Sequence, residues 1–331
     1  MREPSFWWRP HSWPSLVLAP FAWAYGAVAA IRLRRQGADI GIPVICVGNY
    51  TLGGAGKTPT VIALIELLRR GGQHPFVLSR GYRGTLKGPV LVDRAKHAAA
   101  EVGDEPLLLA AHAPVVVSAN RVAGARLAAE RGASVVVMDD GFQNPSLAKQ
   151  LSLVVVDGKR GLGNGAVFPA GPLRAPLADQ LERTDALVVI GDGSAADGIS
   201  SAVARRGGTV LRARLVADPA DVTVLKGKRV MAFAGIGDPE KFFATLRGCF
   251  IEIAATKSFA DHHAYSEAEL TTLQADARRD GVTLITTAKD LARLGAAGVG
   301  ISALKVALVF EDQATLRQLV ARAVASVPPR A

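Results

Sequence analysis

Pro43-Val-Ile-Cys-Val-Gly-Asn-Tyr-Thr-Leu-Gly-Gly-Ala-Gly-Lys-Thr58 constrains this chain more than any other stretch. An apolar run enters a glycine-rich loop, and Lys57-Thr58 opens the helical pattern Val61-Ile-Ala-Leu-Ile-Glu-Leu-Leu68. Strand, glycine loop and helix in that order form a phosphate-cradling P-loop. Backbone N–H groups converge there on anionic oxygens at the positive end of a helix dipole. Candidate nucleotide-binding residues are therefore Thr51, Leu52, Gly53, Gly54, Ala55, Gly56, Lys57 and Thr58. Lys57 would reach the β- and γ-phosphates, and the Thr58 hydroxyl would ligate Mg²⁺. One position departs from the general pattern: Thr51 stands where glycine is usual, six residues before the lysine.

Downstream, short apolar runs alternate with helical stretches. Strands are expected at 44–47, 76–78, 115–118, 135–138, 153–156 and 186–190, and helices at 58–70, 104–111 and 121–131. Helices between continuous apolar strands predict an α/β fold with a mostly parallel sheet covered on both faces. A second, smaller α/β unit is expected from about residue 222, with strands at 230–234, 283–286 and 305–308 and helices at 239–246, 266–280 and 313–325. The Gly/Ser/Ala-rich stretch 192–201 reads as a loop, and Pro328-Pro329-Arg330 as a frayed tail. The expected organisation is an N-terminal membrane-associated helix over 1–35, a P-loop core over 36–221 and a smaller domain over 222–331.

The N-terminus is set apart by composition. All four tryptophans, Trp7, Trp8, Trp13 and Trp23, lie in the first 23 residues, and no charged side chain other than histidine occurs between Arg9 and Arg32. Arg32, Arg34 and Arg35 close the segment. Apolar surface, interfacial aromatics and a basic edge suit an anchor lying on a membrane surface. Pro14 and Pro20 interrupt the run, and a helix from Ser15 to Ile31 would cover only about 25 Å of a roughly 30 Å hydrocarbon core, which argues against a span. The net charge of +10 favours acidic partners, but the arginines are scattered and no nucleic-acid module is visible. An anionic membrane surface and a phosphorylated substrate are the expected partners, with no nucleic acid and no obligatory protein partner. With two cysteines, Cys46 and Cys249, both in apolar runs, buried thiols are expected rather than a disulfide framework.

In such sheets ligands bind beyond the carboxyl ends of the strands. Ser134-Val-Val-Val-Met-Asp-Asp-Gly-Phe-Gln-Asn144 ends an apolar strand in the acidic pair Asp139-Asp140, a Walker B-like arrangement that would face Mg²⁺. Gly141 would allow a tight turn that brings Gln143 and Asn144 over the same site. Asp104, in Gly103-Asp-Glu-Pro106, reads equally as a helix cap or a metal-side carboxylate. Arg80, in Ser79-Arg-Gly-Tyr-Arg-Gly84, reads as a phosphate contact or a solvated basic turn. His262 and His263 precede a capping box at Ser266 and Glu269. A histidine there within reach of a catalytic carboxylate could tune its basicity. Arg174 ends the Gly/Pro-rich loop that begins at Asp157, and is a candidate phosphate or sugar contact.

Taken together, these segments resemble the tetraacyldisaccharide 4′-kinase family of lipid A biosynthesis. The resemblance spans nearly the whole chain: the aromatic N-terminus, Gly48–Pro59, Ser79–Tyr82, Gly103–Pro106, Asp139–Gln143, Pro169–Arg174, Asp261-His262 and Thr286–Asp290. It includes the threonine at position 51. The resemblance implies ATP- and Mg²⁺-dependent phosphorylation of the 4′-hydroxyl of a tetraacyl glucosamine disaccharide 1-phosphate, at the cytoplasmic face of the bacterial inner membrane, by a monotopic or peripheral enzyme. It implies that Asp140 acts as base with His262 beside it, that Lys57 is catalytic, and that Thr58, Glu105 and Asp139 serve the metal. Arg80, Gln143, Asn144 and Arg174 are then the candidate substrate contacts. Asn144 stands where the family commonly has histidine; asparagine keeps hydrogen-bonding ability but does not titrate.

Three other classes fit less of the chain. A membrane-partitioning nucleotide switch usually carries a second lysine at the position of Leu52. A GTPase metallochaperone would need an Asn-Lys-x-Asp motif, and Ala288-Lys-Asp290 has the wrong spacing. Another P-loop small-molecule kinase leaves the tryptophan-rich N-terminus unexplained.

Overall fold

The computed structural model describes residues 3–10 and 12–327; the expected tail at 328–330 lies outside them. Eight strands are laid down first: β1 (Val44–Asn49), β2 (Pro75–Ser79), β3 (Val90–Leu91), β4 (Val115–Val117), β5 (Val135–Asp139), β6 (Leu151–Asp157), β7 (Ala186–Ile190) and β8 (Thr209–Ala217). Four more build a separate sheet: β9 (Arg229–Ala234), β10 (Glu252–Ser258), β11 (Thr283–Thr287) and β12 (Ser302–Leu304). The chain then returns to the first sheet as β13 (Val306–Phe310).

The large sheet runs β13-β8-β7-β6-β1-β5-β2-β4-β3. Every neighbouring pair is parallel except β13 with β8 and β3 with β4, so an antiparallel strand closes each edge. β1, β5 and β7 are buried along their whole lengths. Their continuous apolar runs match a sheet covered on both faces. On one face, Val61, Leu64, Ile65 and Leu68 of the helix Lys57–Arg70 share a core with Leu316, Val320 and Ala323 of the helix Gln313–Ala325. On the other, Ala125 and Ala128 of the helix Arg121–Glu130 pack with Ile199 and Val203 of the helix Asp197–Arg205.

The small sheet, β10-β9-β11-β12, is parallel throughout. Its position in the chain departs from expectation. Residues 305–325 were read with the second unit, yet β13 pairs antiparallel with β8 and the following helix packs on the large core. The physical reason is burial. Leu308 and Phe310 find their apolar partners in the large core, and β8 (a strand unmarked in the sequence because Arg212 and Arg214 interrupt its apolar residues) supplies the pairing edge. The small unit is therefore inserted between two neighbouring strands. Its two connections touch where Asp218 N–H donates to Lys305 O (2.9 Å) and Lys305 N–H donates to Asp221 Oδ2 (2.9 Å). The expected loop at 192–201 is also partly helical, because Ile199 and Val203 repeat at four-residue spacing and both are buried.

The apolar N-terminal segment forms a helix, Trp13–Leu33, that continues through Pro20. At 21 residues it is about 31 Å long, longer than the stretch 15–31 alone would make. Ala22, Gly26 and Leu33 are buried, while Trp13, Phe21, Trp23 and Ile31 are among its widely exposed residues. Both ends are fastened to the body. Ser15 Oγ donates to Ala170 O (2.8 Å), and Arg34 pairs with Asp179 (2.8 Å). Midway, the Tyr25 ring meets Phe168 edge-on at 5.4 Å. Of the two cysteines, Cys46 is buried as expected, whereas Cys249 is partly exposed.

Candidate active site

β1 lies between β6 and β5 at the middle of the sheet, and β5 is flanked in turn by β2. In this parallel arrangement the loop after β1, the acidic end of β5 and the end of β2 open on one edge. Val47 stands beside Asp139 in the register. Gly53 (φ 99°) and Gly56 (φ 97°) take the left-handed backbone that turns the loop into the helix Lys57–Arg70. Asn49, fully buried, ties the loop together. Its Nδ2 donates to Gly53 O (3.2 Å), its Oδ1 accepts from Lys57 Nζ (3.3 Å), and its carbonyl accepts from Gln143 Nε2 (2.7 Å).

The Gly/Pro-rich loop clamps the other side. Leu52 N–H donates to Pro172 O (2.8 Å) and Arg174 N–H to Tyr50 O (2.8 Å). Arg174 Nε donates to Thr51 O (2.9 Å), while its Nη1 reaches Asp140 Oδ1 (2.8 Å). Thr51 is thus held through its backbone carbonyl and a bridge to Leu173.

Asp140 sits between two cations, Arg174 and Lys57 (3.7 Å from Nζ to Oδ1), with its side chain about one-third exposed. Burial alone would raise its carboxyl, but Lys57 and Arg174 more than offset this and hold it at about 2. Its backbone is left-handed at φ 47°, a conformation that needs support from its surroundings in a non-glycine residue. Asp139 is the opposite case. It is buried and accepts from Ser79 Oγ (3.3 Å). Burial, followed by the charges of Glu105 and Asp140, pushes it up to about 7. Two adjacent carboxylates therefore stand in opposite electrostatic states.

His262 was expected beside Asp140. The structure pairs it with Asp104 instead: Nδ1 is 2.9 Å from Asp104 Oδ2. The reason is the docking of the small unit. The short helix Ala288–Leu294 presents Lys289 and Arg293, four residues apart and so on one face, to the consecutive carboxylates Asp104 and Glu105. Lys289 Nζ meets Glu105 Oε1 at 3.0 Å, and Arg293 Nη2 meets Asp104 Oδ2 at 2.7 Å. Asp104 is not a helix cap, since Gly103 holds that position, and both of its oxygens accept from protein donors. Burial would raise its carboxyl, yet the hydrogen bond from His262 and the cations Lys289 and Arg293 hold it well below the ordinary carboxylate range. His262 also has a left-handed backbone (φ 57°), and the Tyr82 ring meets its imidazole edge-on at 5.8 Å. A second bridge between the units joins Lys241 to Asp157.

The remaining candidates divide. Thr58 is the second residue of its helix and partly exposed, beside the loop. Arg80 is exposed just past β2. Gln143 is committed internally, to Asn49 O, to Gln180 Oε1 (2.9 Å) and to Arg174 (3.4 Å). The Asn144 oxygen accepts from Ser146 N (2.9 Å) and Oγ (2.6 Å), a turn that its shorter side chain serves well. Arg293, Asn49 and Ser79 were not singled out from the sequence. Arg293 follows Thr286–Asp290 by three residues, and only the docked units reveal its partner.

The family model described as tetraacyldisaccharide-1-P 4′-kinase, LpxK, matches residues 14–325. The chain belongs to the tetraacyldisaccharide 4′-kinase family. A relative of that name from Rhodopseudomonas palustris (strain HaA2) is 60% identical over 321 residues, covering 96% of this chain and 95% of its own. Another from Bradyrhizobium sp. (strain BTAi1) is 56% identical over 336 residues, covering 100% of this chain and 97% of its own. Among solved structures, LpxK from Aquifex aeolicus, described as an "apo" form in complex with ATP, superposes with a TM-score of 0.76 at 29% identity. That match covers 94% of this chain and 99% of the other. The α/β architecture and the kinase assignment for this 4′-kinase family member rest on these matches together.

Proposed function

We propose that this enzyme transfers the γ-phosphoryl group of ATP to the 4′-hydroxyl of a tetraacyl glucosamine disaccharide 1-phosphate, working at the cytoplasmic face of the inner membrane. One observation supports the mechanism: Gly103, just before Asp104, packs against Gly81 and Tyr82 past the end of β2, and Glu105 and Asp140 both act on Asp139, so the pair Asp104–His262 and the group Lys57–Asp140–Arg174 flank one site. Phosphoryl transfer needs positioning and charge neutralisation more than covalent chemistry. The P-loop N–H groups and Lys57 bind the phosphates. Asp140 keeps Lys57 and Arg174 in place as charged neighbours of the transferred group.

A base for the acceptor hydroxyl must accept a proton near neutral pH. Asp140, held at about 2 by two cations, suits charge organisation better than this task. In the pair Asp104–His262 the imidazole would take the proton and the Asp104 carboxylate would orient it. With Asp104 accepting at Nδ1, Nε2, which lies 3.8 Å from Asp261 Oδ2, is the nitrogen that would take the proton. We assign the base role expected for Asp140 to His262 instead, which Asp104 holds at 2.9 Å.

Mg²⁺ fits the donors present. Asp139 is a buried carboxylate pushed up by burial and by the neighbouring charges of Glu105 and Asp140, an environment that a divalent cation would relieve. Thr58, Asp139 and Glu105 are the residues that would hold it. When bound, Mg²⁺ neutralises phosphate charge. Among the described residues no cluster of three or more His, Cys, Asp or Glu side chains is placed to hold a metal.

Because both its ends and its middle are fastened to the body, the helix Trp13–Leu33 is suited to lie along a membrane surface. Its exposed tryptophans would enter the interface and its flanking arginines would meet anionic headgroups. The direct test is ATP-dependent ³²P transfer to the disaccharide 1-phosphate in mixed micelles, with Asp104→Asn alongside. Labelled product from the wild type and a severe loss in the variant are expected. ATP hydrolysis without labelled lipid would reject the acceptor.

A further inference from the structure

The carboxylate of Asp104 is fully committed. Its Oδ1 accepts from Glu105 N–H (3.1 Å), and its Oδ2 accepts from both His262 Nδ1 (2.9 Å) and Arg293 Nη2 (2.7 Å). The second nitrogen of Arg293, Nη1, binds Asp290 Oδ1 (2.7 Å) and Gly235 O (3.2 Å), and lies 3.4 Å from His263 O. Gly235 O is also the acceptor for the backbone N–H of His262 (3.0 Å), which holds that residue in its left-handed conformation. One guanidinium therefore binds the carboxylate of Asp104 and the carbonyl that anchors His262. Its planar fork suits two acceptors at once, which an ammonium group cannot match.

The anchor behind it is rigid. Asp290 is completely buried and is fixed by Gly235 N–H (3.1 Å), the Thr287 hydroxyl (2.7 Å) and the Tyr265 hydroxyl (3.0 Å). The Arg293 side chain is itself 10% exposed. A buried cation with two carboxylates, one from each unit, is a directional link rather than a surface ion pair.

We propose that Arg293 is the positioning residue of the Asp104–His262 pair, aligning both partners from one guanidinium and thereby coupling small-unit docking to completion of the active site. The inference rests on the assignment of that pair as the base. Arg293 does not touch the reacting atoms; it acts through Asp104 and the His262 backbone.

The test is a double-mutant comparison on the full-length enzyme in mixed micelles, with ATP, Mg²⁺ and the disaccharide 1-phosphate. Arg293→Met should lower kcat about 10- to 100-fold and leave the KM for ATP within about twofold, as expected for misplacement of a catalytic group. Arg293→Lys should recover only part of the loss. Added to His262→Ala, Arg293→Met should change the remaining kcat by less than about twofold, since both of its routes of action end at that imidazole. Unchanged kcat in Arg293→Met, or losses that multiply in the double variant, would overturn the proposal. If the methionine variant melts below the assay temperature, Arg293→Lys carries the test: a fall in kcat alone supports it, and an equal loss of ATP binding overturns it. Near-normal turnover in Asp104→Asn would reject the base assignment itself. A crippled Asp104→Asn beside an unaffected Arg293→Met would reject only the role of Arg293.

Discussion

His262 and Asp104 lie 158 residues apart in the chain, on different units, and meet at 2.9 Å. Removing either partner should separate binding from chemistry. Asp104→Asn and His262→Ala are expected to lower kcat by about 100-fold or more with little change in ATP affinity, in line with loss of a general base. Steady-state kinetics with ATP varied at saturating lipid checks this. A large rise in the KM for ATP at normal kcat would point to a role in nucleotide binding instead.

Asp140 carries a different prediction. It links Lys57 and Arg174, so Asp140→Ala leaves two partly buried cations without their shared carboxylate. Transfer should fall by at least about 100-fold while the fold stays intact. Lys57→Ala should abolish transfer as well and weaken nucleotide binding in addition. Circular dichroism and ATP titration of both variants separate these effects. Near-normal turnover in Asp140→Ala would reject a catalytic role for this carboxylate.

Asp139 should reveal itself through stability. Its folded pKa is raised from 3.8 to about 7, so the folded state holds a proton that the unfolded state releases. Stability is then lost as pH rises between these values, with the full penalty present above about 7. In EDTA and without nucleotide, Asp139→Asn should melt about 3 °C or more above the wild type at pH 8, and the difference should shrink toward pH 4. A gap that widens as the pH falls would contradict the assignment of burial and like charge as the cause.

The exposed face of the helix Trp13–Leu33 should control membrane partitioning. Trp23 is 77% exposed and Phe21 66%, so charged substitutions there disturb no packing. Trp23→Glu should weaken binding to vesicles containing anionic phospholipid by about tenfold, since burying an aromatic side chain contributes roughly 1.5–3 kcal/mol. Flotation of wild type and variant with such vesicles, at two salt concentrations, measures it. Equal flotation would place the membrane contact elsewhere.

How much could be read in advance differs from residue to residue. The P-loop was legible because its chemistry is local: glycines, a lysine and a hydroxyl at fixed offsets between a strand and a helix. Asp139 and Asp140 were legible because a continuous apolar strand must end somewhere, and they end it. Arg174 was marked for its loop, but not as the bracket between Thr51 and Asp140. Arg293 carried no signal of its own, being one of many arginines in the chain and lying on a short helix.

Sequence by itself determined the α/β class, the nucleotide-binding edge and the apolar N-terminal helix, since each depends on periodicity or on residues close together in the chain. Tertiary structure alone decided which carboxylate meets His262 and where the last strand belongs. Those outcomes follow from how the inserted unit docks: Lys289 and Arg293 are drawn to Glu105 and Asp104, and Leu308 and Phe310 to the larger core. Contacts between distant segments are chosen by competition for burial and charge neutralisation across the whole fold, and no local pattern records which partner wins.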